Sequence, residues 1–146
     1  MALLNETIQE EIDNLTELAY EKFQNNQKEE SFKMMEQAWN LYPDPKENWT
    51  EAYNTAKYIC DDCFAINDFP KAKIWLNRMI ANNNNLHHSD EECQYYIGKY
   101  LFETGEYEKA LENFKEVVKS AGYRYFEDED PKYLDFYKRP QKYIKK

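Results

Sequence analysis

Glycine, proline and valine are scarce in this sequence, with three glycines, five prolines and two valines among 146 residues. Runs of β-branched residues, which favour strands, are absent, so β-sheet is not expected. No apolar run approaches the roughly 20 residues that a membrane-spanning helix requires. The first residues, Met1–Leu4, are neither basic enough nor long enough for a signal peptide. We therefore expect a cytoplasmic protein without a membrane partner.

Basic residues are also in the minority, because 19 Lys and Arg face 28 Asp and Glu, which gives a net charge of −9. Such a chain repels nucleic-acid phosphates unless it carries a local basic face. The one basic stretch is the Lys-rich tail at 138–146, so we expect no nucleic-acid partner. Thirteen Tyr, eight Phe and three Trp supply apolar area for a core, and the chain is long enough for one domain, 1–146.

Helix starts are marked by side-chain oxygen acceptors that precede a proline or a carboxylate, at Thr7, Asp44, Asp68, Ser89 and Asp130. Stops are marked by residues that enter the left-handed conformation easily or by proline, at Asn25–Asn26, Tyr42–Pro43, Asn67, Asn82–Asn85, Gly105 and Gly122. The spacing between these signals predicts helices over about 8–25, 28–42, 45–66, 69–82, 90–104 and 107–121, and a short seventh over 131–138. The predicted fold class is all-α.

Sliding the chain against itself reveals an internal repeat. With Asn26, Asn67 and Gly105 aligned as turns inside three helix pairs, small residues form two columns: Ala19, Cys60 and Gly98, then Ser31, Ala72 and Ala110. Large apolar residues form a third column, with Met35, Leu76 and Phe114. Small residues are expected where two helices cross closely, and large ones where a helix wedges against the next pair.

This set of columns resembles the tetratricopeptide repeat. The resemblance implies a stack of three helical hairpins, with repeats at about 12–45, 53–86 and 91–124. One hairpin cannot bury its apolar face alone, and the last repeat would leave an open apolar edge. We therefore predict that 131–138, with its four large apolar side chains, is a C-terminal capping helix.

In tetratricopeptide proteins the first helix of each pair lines a concave groove that binds partners. Carried over by alignment, the groove positions are Asp13, Thr16, Tyr20, Phe23, Gln24, Asn54, Lys57, Asp61, Phe64, Ala65, Glu92, Tyr95, Lys99, Phe102 and Glu103. The alternative interpretation of the three Phe is that they are core residues. One branch of the family clamps acidic C-terminal tails, but Thr16, Tyr20 and Asp61 depart from that clamp, so a co-chaperone role is disfavoured.

A second candidate surface is the acidic segment Glu127, Asp128, Glu129 and Asp130, which lies between aromatic residues within Gly122–Tyr137. It resembles the tails of small tetratricopeptide-like bacterial proteins that act as immunity proteins for polymorphic or contact-dependent toxins. That resemblance implies stoichiometric binding of a basic toxin domain, towards which an acidic protein is steered electrostatically. The alternative is that these carboxylates cap the last helix.

Cys60 and Cys63 have the two-residue spacing of zinc and redox motifs, with Cys93, His87 and His88 elsewhere in the chain. Both cysteines fall at repeat positions that face the partner helix, so we favour buried structural thiols and keep a zinc or redox site as the alternatives. His87 and His88 are expected in a surface loop.

No phosphate-binding loop, nucleophile elbow or metalloprotease motif occurs, so we expect neither an enzyme nor a cofactor. The predicted function is protein binding, most specifically as an immunity protein. A general scaffold that holds a peptide or helix in its groove is the alternative, and a metal-dependent enzyme is the weakest. The oligomeric state stays open, since Leu3, Leu4 and Ile8 could cap the array or contact a second copy.

Overall fold

The computed structural model describes residues 4–144, and within them it contains helices and turns but no strand. The seven α-helices are α1 (Glu6–Gln24), α2 (Lys28–Leu41), α3 (Thr50–Ala65), α4 (Phe69–Leu86), α5 (Asp90–Glu103), α6 (Tyr107–Ala121) and α7 (Pro131–Lys138). Short 3-10 turns lie at Lys46–Asn48, Arg124–Phe126 and Pro140–Lys142. Helices α1 and α2, α3 and α4, and α5 and α6 pack as three hairpins, so the predicted all-α stack is confirmed.

The three hairpin turns are built in the same way. Asn26, Asn67 and Gly105 have positive φ angles of 65°, 59° and 85°, the conformation that Asn and Gly enter most easily. In each turn the next residue's backbone N–H donates to the carbonyl five residues earlier, at 2.8, 2.9 and 2.8 Å. The repeated bond satisfies a helix-end carbonyl in every hairpin and reverses the chain within a few residues.

The columns of small residues lie where the two helices of each hairpin cross. Ser31 Oγ donates to the Ala19 carbonyl at 2.6 Å, and Cys60 Sγ lies 3.7 Å from the Ala72 carbonyl. In the third hairpin a Cβ added at Gly98 would lie 2.6 Å from the Phe114 ring. The chain is therefore a helical repeat-like stack that is compatible with a tetratricopeptide-like fold.

Three predicted helix ends differ from the structure. The N-cap of α1 is Asn5, whose side chain accepts from the N–H groups of Thr7 and Ile8, so Thr7 is not the cap. Helix α3 begins at Thr50 rather than near 45, because a separate 3-10 turn occupies Lys46–Asn48. Caps at Asp68, Ser89 and Asp130 are confirmed, since each side chain accepts a backbone N–H of the first turn.

The third difference is at the end of α4, which continues through the asparagine run to Leu86 instead of stopping at 82. The amide of Asn82 donates to the Trp49 carbonyl at 2.8 Å, and that of Asn83 donates to Asp90 at 2.7 Å. These partners give the buried side-chain amides of both asparagines a hydrogen-bond acceptor, and the helix ends at Leu86, before His87 with a φ of +53°.

Helix α7 closes the last hairpin, as the capping prediction requires. Phe136 is fully buried, and its ring centroid lies 5.0 Å from that of Phe102 on α5. Tyr133 packs against Phe102 as well, at 5.5 Å. At the other end of the stack, Leu4 and Ile8 are half-buried against the core. Leu3 lies outside the described residues, as do the last two positions of the Lys-rich tail.

Candidate functional site

An open groove lies between the first helices of repeats one and two, and we name it the α1–α3 groove. Its volume is about 540 Å³. Buried apolar side chains form its floor, with Ile12 from α1, Met35 from α2 and Ile59 from α3. Tyr20 and Tyr58 stand at its rim and are 64% and 61% exposed, the highest values among the exposed large hydrophobic side chains. Two aromatic side chains thus lie at the mouth of a cleft whose floor is apolar.

The charge of the α1–α3 groove has one sign. Its lining includes Asp13 from α1 and Glu51, Asp61 and Asp62 from α3. Among the lining residues, all of which lie in the described part of the chain, none is Lys, Arg or His. Across the described residues, the groove lining therefore carries four acidic side chains and no basic one.

Two of these carboxyl groups are partly buried, which alters their titration. Burial raises the pKa of Asp61, while the Tyr96 hydroxyl, which donates to Asp61 Oδ1 at 2.6 Å, opposes that shift. Burial together with the neighbouring Asp61 charge raises the pKa of Asp62 to about 6. Desolvation penalises the ionised form of each carboxyl group, so these carboxylates are held at an energetic cost near neutral pH.

Beyond the α1–α3 groove, the predicted site residues Lys57 and Glu92 are paired with each other. Lys57 Nζ lies 3.5 Å from Glu92 Oε2. The Tyr53 hydroxyl donates to Glu92 Oε1 at 2.6 Å. This network links α3 to α5, and the charges of Lys57 and Glu92 are paired with each other within the protein.

The predicted groove face of α5 is covered by the protein's own C-terminal segment. Lys99 is 4% exposed, its Nζ lies 2.8 Å from Glu129 Oε1, and the rings of Phe64 and Tyr96 lie within 5 Å of it. Tyr95 is buried, and its hydroxyl donates to Glu129 Oε1 at 3.3 Å. In this conformation neither Tyr95 nor Lys99 presents a surface to a partner.

Glu103 is engaged by the capping helix in the same way. Its carboxylate accepts from the Tyr133 hydroxyl at 3.1 Å and lies 2.6 Å from Lys132 Nζ. Helix α7 thus binds a polar side chain of α5 and also covers its apolar ones.

The acidic segment divides into two residues that bond to other groups of the protein and two that lie exposed in solvent. Glu129 points to Lys99, and Asp130 caps α7 by accepting from the Lys132 N–H at 3.0 Å. Glu127 and Asp128 are exposed, and Asp128 has a positive φ of 59°. The helix-capping interpretation therefore describes Asp130, while Glu127 and Asp128 keep their charge in solvent.

Five positions predicted from the repeat alignment meet in the α1–α3 groove: Asp13, Thr16, Tyr20, Asn54 and Asp61. Their role in binding stays a prediction. The alignment missed Tyr58, Asp62 and Glu51, which line the same groove. Tyr58 and Asp62 each follow an aligned groove position by one residue, and this proximity was the available signal.

The three cysteines are free and buried. Burial raises the pKa of the Cys63 thiol to about 12 and that of Cys93 to about 11, and it raises the pKa of Cys60 as well. Thiols held in the protonated state are poor nucleophiles and poor metal ligands. Within residues 4–144, no group of three or more His, Cys, Asp or Glu side chains is arranged to hold a metal ion.

The structure contains no helix, within residues 4–144, that combines the length and apolar character needed to cross a membrane. Comparisons with protein-family models, with curated proteins and with solved structures find no match to this chain. The stacked hairpins and the α1–α3 groove are therefore the features from which a function can be inferred.

Proposed function

We propose that this protein is a protein-binding module whose docking surface is the α1–α3 groove. The observation that carries the proposal is the pair of exposed tyrosines, Tyr20 and Tyr58, above a buried apolar floor. Tyrosine offers a large contact area at a small cost in side-chain entropy, and it is enriched at the energetic centres of interfaces.

The more specific function is that of an immunity protein, which neutralises a cognate toxin in the cytoplasm by stoichiometric binding without catalysis. The charge distribution supports it, since the acidic groove and the exposed pair Glu127 and Asp128 present negative potential to an approaching partner. Electrostatic steering of this kind raises association rates towards basic surfaces, as a rapidly acting inhibitor requires. A partner with a positively charged active face is the natural target.

A general scaffold is the second candidate, and the size of the α1–α3 groove is the observation in its favour. A volume of about 540 Å³ accommodates a short peptide or one face of a helix rather than a whole domain. In that case the partner contributes a linear motif, and toxicity plays no part.

The test is co-expression of the protein with each protein encoded beside its gene in the native genome. We expect one neighbour to arrest growth, the full chain to restore growth, and the two to purify as a one-to-one complex. The double variant Tyr20→Ala, Tyr58→Ala should lose protection, whereas Tyr123→Ala, which alters an exposed tyrosine outside the groove, should retain it.

Two outcomes would contradict the proposal. If no neighbour is toxic, the immunity function is wrong and the scaffold candidate is left. If a neighbour is toxic and protection survives the double variant, the α1–α3 groove is not the docking surface.

A further inference from the structure

We infer that the α1–α3 groove receives a partner segment that carries an arginine, whose guanidinium lies between the rim tyrosines and the groove carboxylates. This inference rests on the proposed function, because it names the chemistry of the occupant for the same docking surface. Three observations carry it. The groove carboxylates lie in no ion pair within residues 4–144, the rim tyrosines are exposed, and an arginine elsewhere in the fold is bound by groups of the same kind.

The first feature is a set of carboxylates without cationic partners. Within the described part of the chain, Asp13, Glu51, Asp61 and Asp62 lie in no ion pair. Asp13 accepts a hydrogen bond from the amide of Gln9 at 2.8 Å, and Asp61 accepts one from Tyr96. Neither donor carries charge.

Three cations whose charges act on Asp61 or Asp62 also contact other groups. Lys57 pairs with Glu92 and also lies 5.3 Å from the centroid of the Tyr58 ring, and Lys99 pairs with Glu129. Lys28, whose charge acts on Asp62, has its Nζ 3.7 Å from the centroid of the Phe23 ring. These cations offset part of the charge of Asp61 and Asp62, but in the described part of the chain none forms an ion pair with a groove carboxylate, and every charged residue of the groove lining is acidic.

The second feature is the exposed ring of each rim tyrosine. Guanidinium groups stack on aromatic faces and bind carboxylates through two parallel N–H donors, whereas an ammonium group offers only a point charge. A groove that combines tyrosine rings with carboxylates over an apolar floor therefore suits arginine beside an apolar anchor. An acidic segment is repelled by the same four carboxylates.

The third feature is a precedent within the protein. The Arg78 guanidinium lies 4.2 Å from the centroid of the Trp75 ring and 5.2 Å from that of Trp39, and it donates to Glu36 Oε1 at 2.9 Å. In that arrangement two aromatic rings and one carboxylate accommodate one guanidinium. The α1–α3 groove presents two tyrosines and four carboxylates, and Lys57 Nζ lies 5.3 Å from the centroid of the Tyr58 ring.

The test is selection of random peptides displayed on phage against the full-length protein. We expect the selected peptides to be enriched in arginine next to an apolar residue and to lose binding to Tyr20→Ala, Tyr58→Ala. Replacement of that arginine by citrulline, a neutral isostere, should weaken binding about tenfold in calorimetric titrations at physiological ionic strength.

A matched pair of charge variants separates local recognition from general attraction. Asp61→Asn, Asp62→Asn should weaken binding of the arginine peptide about tenfold, and Glu112→Gln, Glu116→Gln, which removes two charges from the exposed face of α6, about twofold or less. Because burial raises the pKa of Asp62 to about 6, the peptide should also bind more weakly at pH 5 than at pH 7.5. Equal losses for the two charge variants would overturn the inference.

The remaining outcomes distinguish this inference from the proposed function. Peptides that require the rim tyrosines but lack arginine, or that bind equally well with citrulline, overturn the arginine inference and leave the groove as the docking surface. Peptides that bind the tyrosine variant undiminished, or the absence of any selected peptide, overturn both the arginine inference and peptide docking in the groove. Toxin neutralisation is judged separately by the growth assay.

Discussion

Replacement of Gly98 by alanine tests the close crossing of α5 and α6. A Cβ at this position would lie 2.6 Å from Phe114 Cε1 and 2.8 Å from Cδ1. Carbon atoms in ordinary contact are about 3.5–4.0 Å apart, so the overlap is about 1 Å. The Phe114 ring has little freedom to retreat, because it is fully buried against the rings of Tyr95, Phe126 and Phe136.

Two effects of Gly98→Ala oppose each other. Alanine favours the helix by about 1 kcal/mol relative to glycine. Overpacking of a dense core costs about 1–3 kcal/mol, and a ring enclosed on several sides places this site in the upper half of that range. We expect a net loss of about 1 kcal/mol in the free energy of unfolding, measured by urea denaturation followed by circular dichroism, with an unchanged m value.

The second mutation Phe114→Leu provides the control for Gly98→Ala. In the aligned positions of the other repeats, Ala19 accompanies Met35 and Cys60 accompanies Leu76, so a side chain in the first column goes with a slimmer residue in the second. The double variant should therefore be about 1 kcal/mol more stable than the sum of the single effects. A stabilised Gly98→Ala protein, or additive effects of the two mutations, would show that the crossing is not close.

Three further substitutions address the covered face and the groove. Lys99→Met removes the cation that pairs with Glu129, and we expect the free energy of unfolding in urea to fall by about 1–3 kcal/mol. The control Lys109→Met alters an exposed ion pair and should change that free energy by less than about 0.5 kcal/mol. Equal effects of the two variants would contradict a stabilising buried pair. Asp130→Ala removes the N-cap of α7 and should cost about 1 kcal/mol, whereas Asp130→Asn should retain most of that stability. Asp62 has its pKa raised to about 6 from an ordinary value of about 3.9, so its ionisation opposes folding as the pH rises through this interval. Asp62→Asn should therefore raise Tm at pH 8 and leave it unchanged at pH 3.5, and the opposite pattern would mean that the carboxylate is stabilised in the fold.

The local signals in the chain were sufficient for the secondary structure and its repetition. Turns at Asn26, Asn67 and Gly105 depend on the conformational preference of single residues, and caps at Asp68 and Ser89 depend on side chains within three positions of the N–H groups they satisfy. Helical periodicity and the alternation of small and large columns are equally local in origin. For this reason the all-α fold, the three hairpins and the capping helix could be predicted.

Contacts between segments that are distant in sequence could not be predicted in this way. Helix α4 continues through the asparagine run because Asn82 finds the carbonyl of Trp49, which lies 33 positions earlier. Lys99 was predicted on the groove face, and it is covered because Glu129 approaches from the C-terminal segment. The helix propensity of a residue cannot indicate either partner, because both contacts form only when the helices pack together.

The set of residues that lines the α1–α3 groove also depends on how distant segments pack. From the sequence, the resemblance to the tetratricopeptide repeat implied that first-helix positions such as Asp13, Tyr20 and Asp61 would share a face, because they match its groove positions. Only the tertiary structure decided that α1 and α3 stay far enough apart to leave a cleft, whereas α3 and α5 are joined by side chains. It also decided that Tyr58 turns towards that cleft, because the angle at which one hairpin packs on the next selects the residues that face the gap.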